Sequence, residues 1–232
     1  MKIVTWNCNG AFRKKFEFIT RSNADIYVIQ ECEDPEKCRD NSYKSWASNY
    51  LWIGNNKNSG LGVFAKDDLT LKELDWELGD LQSFIPFSIN NEFIVLAVWT
   101  KQANSPTFQY IGQLWKYLQA HQSKLNSPKS IVCGDFNSNV CWNKWDRWWN
   151  HSDVVNDLAR IDIHSIYHHA NNIQQGEETT PTFYLHRNLE KPYHIDYAFA
   201  SSGLLESARL EIGAVEEWIA LSDHMPIIFE FN

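Results

Sequence analysis

The chain has 232 residues, 44% of them apolar and 14% aromatic, enough for one domain with a packed core and too many for disorder. Twenty-nine acidic against 21 basic residues leave a net charge of −8, which argues against a module that coats duplex nucleic acid by charge alone. An acidic enzyme can still handle phosphodiesters when a metal ion supplies positive charge locally.

In chain order, Lys2–Trp6 is a short apolar strand that runs into Asn7-Cys8-Asn9-Gly10. No charged-then-apolar leader precedes it and no long apolar run follows, so neither a signal peptide nor a membrane span is expected. Phe12, Phe16 and Ile19 fall at helical spacing. Asp25–Gln30 is a buried-type strand with Glu31 at its end, and further strands are expected at Tyr50–Ile53, Leu61–Ala65, Phe84–Ile89 and Phe93–Thr100. Asn90-Asn91 suits a hairpin turn between the last two. Phe108, Ile111, Leu114, Trp115 and Leu118 mark one face of an amphipathic helix. Ser130–Cys133, His194–Ala200, Arg209–Val215 and Ile227–Phe231 complete the strands. The expected class is α+β, two packed sheets flanked by helices in a single domain.

The five cysteines are odd in number and lack zinc-site spacing, which points to free thiols and a reducing, cytoplasmic setting. His168-His169 are adjacent; in a strand their rings would point to opposite faces, so they read, like the Gly176-Glu177-Glu178 turn, as ordinary surface or edge residues.

Chemistry concentrates where strands end. Asn7, Asn9, Glu31, Asp135, Asn137, Asp196 and Asp223 each follow or punctuate an apolar segment. Oxygen ligands of this kind suit a hard cation, Mg²⁺ or Mn²⁺, and the carboxylates left over are free for acid–base work. Taken singly, each has an ordinary explanation as a turn former, cap or exposed charge. Their joint occurrence in this order carries the functional reading.

That order resembles a known set. Trp6-Asn7-Cys8-Asn9-Gly10, Gln30-Glu31, Gly134-Asp135-Phe136-Asn137, Pro181-Thr182-Phe183, His194-Ile195-Asp196-Tyr197 and Ser222-Asp223-His224-Met225-Pro226 together resemble the motifs of the endonuclease/exonuclease/phosphatase superfamily. The resemblance implies a four-layer sandwich of two mainly antiparallel sheets between helices, and a metal-dependent phosphodiesterase acting on DNA or RNA. It implies that Glu31 is the principal metal carboxylate, with Asn7, Asn9 and Asp223 near the metal. Asp135 would orient or deprotonate the attacking water and Asn137 would hold that water or a phosphate oxygen. Asp196 would pair with His224, and His224 would contact the scissile phosphate. Elementary chemistry agrees: water needs a base, and a carboxylate beside a histidine favours the imidazolium that a phosphoryl transition state needs.

One position departs. Where these nucleases carry a catalytic His or Tyr, this chain has Trp99, followed by Thr100-Lys101-Gln102. Trp99 donates one N–H to a phosphate oxygen, or Lys101 takes the electrostatic role, or the correspondence slips there. Downstream, Cys141–His151 holds four of the eleven tryptophans. Trp142, Trp145 and Trp149 sit at helical spacing, which favours packing for Trp145 and Trp149, while Arg147 and Trp148 are candidates for substrate contact. Two other readings stay open, a phosphoesterase acting on a small-molecule or lipid phosphodiester and a non-catalytic binding protein on the same fold. Nothing in the sequence calls for an obligate protein partner.

Overall fold

The computed structural model describes residues 1–102, 105 and 107–232. In chain order the strands are β1 (Lys2–Asn7), β2 (Ile26–Cys32), β3 (Tyr50–Asn56), β4 (Ser59–Ala65), β5 (Leu71–Glu73), β6 (Phe84–Ile89), β7 (Phe93–Trp99), β8 (Ser130–Asp135), β9 (Ile163–Ser165), β10 (Phe183–Tyr184), β11 (Pro192–Tyr193), β12 (Asp196–Ser201), β13 (Ala208–Ile212) and β14 (Ile227–Phe231). The helices are α1 (Phe16–Ile19), α2 (Asn41–Trp46), α3 (Ile111–His121), α4 (His151–Arg160), α5 (Ile166–Asn171), α6 (Ser202–Leu205) and α7 (Val215–Trp218).

Two six-stranded sheets form, in the orders β13-β14-β1-β2-β4-β3 and β5-β6-β7-β8-β12-β9, with β10-β11 as a separate ribbon. Each large sheet is antiparallel except for one parallel pair at its centre, β1 with β2 and β7 with β8. A parallel pair needs a crossover. Helix α1 with its flanking 3-10 turns supplies the first and α3 supplies the second.

Apolar side chains from both sheets meet in a shared core that includes Ile3, Val28, Val63, Phe87, Val95, Ile131, Ala198 and Phe229. The outer face of the first sheet packs with Phe12, Phe16 and Tyr43, and that of the second with Leu114, Leu118, Val154 and Leu158. Central strands covered on both faces read as continuous apolar runs, which is why β1, β2 and β8 were legible as buried strands. Asn90 and Asn91 both adopt φ of 54°, as the mirror-image hairpin turn between β6 and β7 requires.

The parallel pairs decide where chemistry can sit. Strands β1 and β2 end together, Asn7 opposite Gln30, and β7 and β8 end together, Trp99 opposite Asp135. Strand β12 runs the other way, so its first residue, Asp196, stands opposite Asp135. Polar residues distant in sequence thereby reach one rim of the sandwich. Among the described residues, no helix is long and apolar enough to cross a membrane.

Candidate active site

The Gly134–Asn137 segment closes β8. Gly134 has φ of +145°, and a Cβ there would stand 1.9 Å from the Val98 carbonyl oxygen, so only glycine lets β8 lie this close to β7. Asp135 follows with no solvent exposure. The Asn137 backbone N–H donates to Asp135 Oδ1 at 2.8 Å. Both the Asn137 and Asn7 side-chain amides donate to Asp135 Oδ2, each at 2.9 Å. Asn137, at φ of 45°, also donates to the Thr100 carbonyl at 2.9 Å, which ties it to the end of β7. Asp135 is thus held by three donors and surrounded by protein. Burial, with the Asp196 carboxylate close by, raises its pKa to about 7, against the opposing pull of His224 and the donors.

His224 Nδ1 lies 2.9 Å from Asp196 Oδ2 and 3.1 Å from Oδ1. Thr182 fixes Asp196, because its hydroxyl accepts the backbone N–H of both Ile195 and Asp196 at 3.0 Å. Ser222 fixes the histidine side: its hydroxyl accepts the His224 N–H at 3.0 Å and donates to the Asn7 carbonyl at 2.7 Å. The Trp6 indole donates to the His224 carbonyl at 2.9 Å, and the Phe183 ring centroid lies 4.5 Å from the imidazole. Burial alone would lower the histidine pKa. Asp196, with Asp135 and Asp223, outweighs it and raises the value to about 9, so the ring is an imidazolium at neutral pH.

Glu31 reaches the same rim through a bulge. The β2–β4 register shifts between Gln30 and Cys32, and Glu31 takes φ of 63°. The Asn7 amide donates to Glu31 Oε1 at 3.1 Å as well as to Asp135, so one side chain spans both carboxylates. Asn9 Nδ2 donates to Asp223 Oδ1 at 2.5 Å, and Asn9 N donates to Asn7 Oδ1 at 3.0 Å. Glu31 and Asp223 are partly exposed and linked through the side chains of Asn7 and Asn9, and their oxygens are of the kind a hard cation takes. Among the described residues, side-chain ligand atoms of Asp135, Asp196 and His224 also lie within 4.8 Å of one another. An imidazolium whose Nδ1 is committed to Asp196 is a poor ligand, however, so the donor chemistry favours Glu31, Asp223 and Asn9.

Trp99 and Lys101, two of the candidates that the sequence left open, lie against each other. Trp99 is 7% exposed and belongs to the core between the sheets. The Lys101 ammonium stands 4.1 Å from the centroid of the Trp99 ring. Burial lowers the Lys101 pKa and the nearby Glu31 partly restores it. Lys101 therefore lies close enough to the Glu31 carboxylate to feel its charge.

The tryptophan segment is not a helix. After a 3-10 turn at Val140–Trp142 it runs as a loop to Asn150, so the helical spacing of Trp142, Trp145 and Trp149 creates no common face. Trp145, expected to pack, is 98% exposed. Arg147 donates from Nε to Asn150 Oδ1 at 2.7 Å and from Nη2 to the Trp142 carbonyl at 3.1 Å, while Trp148 is 65% exposed.

A second polar cluster escaped sequence reasoning. His168 lies in α5, not a strand, and its Nε2 stands 3.0 Å from Glu178 Oε1 with both side chains nearly out of solvent. Hydrogen bonds to this carboxylate from His168 and the Gly176 N–H outweigh burial and take the Glu178 pKa down to about 2. Gln175 bonds both His151, at 3.0 Å, and His168, at 3.2 Å. The one sequence signal was the concentration of histidines and acids between 151 and 194, which has no periodicity to mark it.

The sequence profile of the Endonuclease/Exonuclease/phosphatase family matches residues 4–224. Among curated proteins, none matches the sequence significantly. Solved structures share the fold at low identity. A 3′ phosphatase from Neisseria, bound to a product DNA hairpin, superposes with a TM-score of 0.73 at 18% identity over 100% of this chain and 99% of that one. A 3′-5′ exonuclease from Neisseria meningitidis gives 0.73 and 18%, covering 100% of both chains. An AP endonuclease from Archaeoglobus fulgidus gives 0.67 and 19%, covering 100% of this chain and 99% of that one. With its sequence matched almost from end to end and two six-stranded sheets meeting at one polar rim, the chain belongs to the endonuclease/exonuclease/phosphatase family.

Proposed function

We propose that the protein hydrolyses phosphodiester bonds in DNA by attack of water in line with the leaving oxygen, with a divalent cation, Mg²⁺ or Mn²⁺, as cofactor. One observation carries the reading: the Asn7 amide spans Glu31 and Asp135, so the cation side and the base side of the site are set by one side chain. DNA is favoured as substrate because the structural relatives include a DNA-bound 3′ phosphatase, an exonuclease and an AP endonuclease.

Each residue then has a task. Glu31, Asp223 and Asn9 would hold the cation, which when bound would supply positive charge to a phosphate oxygen. Asp135 accepts the proton of the attacking water. Its Oδ2 is occupied by two amides, so Oδ1 is the atom that takes the proton, and Asn137 steadies the water beside it. A carboxylate with a pKa near 7 suits a base working at neutral pH. His224, kept charged by Asp196, donates from Nε2 to a non-bridging oxygen and stabilises the charge that builds in the transition state. Lys101 faces the developing charge on the leaving-group side, with Trp99 as the buried platform beneath it. Arg147 and Trp148 contact the strand outside the reacting centre. Five unpaired cysteines favour a reducing, cytoplasmic location.

The test is a panel of substrates, with duplex, single-stranded, abasic and 3′-phosphorylated DNA, RNA, cyclic dinucleotides and inositol phosphates assayed in Mg²⁺ and Mn²⁺. Cleavage of DNA that EDTA stops, Mg²⁺ or Mn²⁺ restores and Asp135→Ala abolishes supports the assignment. No hydrolysis of any DNA with either metal sinks it.

A further inference from the structure

The loop from Ser138 to Asn150 takes no part in the proposed hydrolytic step, yet it is firmly held and presents apolar surface to water. Asn150 is its hub. This buried side chain accepts from Lys144 N and Arg147 Nε at 2.8 and 2.7 Å and donates to the Lys144 and Arg147 carbonyls at 3.0 and 2.7 Å. Trp149 anchors the loop from the other side. Its ring centroid is 5.0 Å from that of Phe108, and a Cβ on Gly112 would stand 2.8 Å from the indole, so α3 makes room for it. With Trp149 fixed, Trp142, Trp145 and Trp148 are left 42%, 98% and 65% exposed. Three indoles in solvent on an ordered loop are the kind of surface that marks a binding site.

That surface borders a cleft of about 750 Å³ lined by Tyr110, Asn137, Trp142, Lys144, Arg147 and Trp149. Its volume falls in the range that takes a small molecule or a single nucleotide. Asn137 forms part of its wall and also holds Asp135, so the cleft opens directly onto the proposed catalytic centre.

We propose that this cleft receives an unpaired nucleobase of the DNA strand being cleaved, stacked on Trp142, with Lys144 and Arg147 against the neighbouring phosphates. The inference rests on the proposed nuclease reading and narrows it to strands with unpaired bases. Base faces are hidden inside a duplex and available only in single strands or extruded nucleotides, so exposed indoles gain little from paired DNA. Net charge points the same way, since a chain at −8 has only local positive charge to offer a duplex backbone. Asp146, also on the wall, repels a phosphate and accepts from an exocyclic amine, which places the base inside the cleft and the phosphates at its edge.

The experiment measures fluorescence anisotropy of labelled single-stranded DNA, blunt duplex DNA and single-stranded RNA of one sequence with the full chain in EDTA. Single-stranded DNA should bind at least tenfold more tightly than duplex. Trp142→Ala should weaken that binding roughly tenfold, Trp142→Phe should largely keep it, and Trp148→Ala should weaken it to a smaller degree. Equal or tighter duplex binding, or unchanged affinity in both alanine variants, overturns the proposal, and tighter RNA binding overturns its assignment to DNA. Nothing is hydrolysed in EDTA, so the two readings fail separately. Binding of this kind without cleavage in Mg²⁺ defeats the nuclease reading alone, while cleavage with undiminished affinity in Trp142→Ala and Trp148→Ala defeats the nucleobase site alone.

Discussion

His224 Nδ1 lies 2.9 Å from Asp196 Oδ2, both side chains buried, and Asp135 contributes to the charge that keeps the ring protonated. This relationship makes pH the most direct probe of the site. The proposed hydrolysis needs Asp135 without its proton and His224 with one. The rate should therefore rise as pH passes about 7 and fall as it passes about 9, the values to which the two groups are raised. A cation bound nearby would move the first limb to lower pH by favouring the carboxylate. Asp196→Asn removes the leading favourable partner of the imidazolium and should bring the descending limb to lower pH, as kcat/KM profiles in Mg²⁺ would register.

The same pair has a signature in stability. A histidine whose folded pKa is raised stabilises the fold fully below its unfolded value, about 6.5. That contribution is lost as pH climbs through about 9. Thermal melts of the native chain between pH 7 and 10 should show a decline that Asp196→Asn flattens.

Asp135→Asn should separate function from stability. Removing the base should reduce kcat on the order of a hundred- to ten-thousandfold. The carboxylate is buried beside Asp196 and its folded pKa is raised, so the penalty for ionising it builds as pH rises from about 4 to about 7 and is constant above that. At pH 8 the amide should leave Tm unchanged or raise it by roughly 2–4 °C, the shift expected for each kcal/mol in a chain of this size. A lower Tm would show that the carboxylate holds the fold.

Lys101 and Trp99 can be told apart. Lys101→Met should lower kcat on the order of a hundredfold if its charge faces the leaving group. Trp99→Phe, a change within the core, should reduce Tm more than it reduces kcat. The opposite pattern would return the role to the indole N–H.

The buried His168–Glu178 pair lies outside the reacting centre, so its loss should be structural. Leaving the buried His168 ring without this hydrogen-bond partner costs about 1–3 kcal/mol. Glu178→Ala should accordingly lower the unfolding midpoint in urea. Activity per folded molecule should stay near the native value.

Most of the sandwich could be read from the sequence because its central strands are apolar on both faces and end at polar residues. Strands such as β1, β2 and β8 announce themselves in that way, and the residues at their ends are those of the candidate site. The meeting of Asn7 with Asp135 is not written in any local pattern; it follows from the packing of two sheets whose central parallel pairs end at one rim. The tryptophan loop was misread because a helical period can arise by chance, and the Asn150 side chain, which gives the local backbone its partners, outweighs it. Helix α4 was missed for a related reason, since its buried face includes His151 and Asp157, which no apolar pattern reveals. The His168–Glu178 contact joins a helix to a turn across ten residues, and only the fold shows that both are buried.

The bond from Ser222 to the Asn7 carbonyl spans 215 positions, and the one from Trp6 to His224 spans 218. Asn7, at the end of the first strand, is therefore not fixed until Ser222, just before the last strand, is in place. In the proposed mechanism no partly made chain that lacks Ser222–His224 can place the imidazolium against a phosphate, so hydrolytic competence should arrive abruptly and late. Nascent chains stalled on the ribosome before Ser222 would be inert toward nearby nucleic acid.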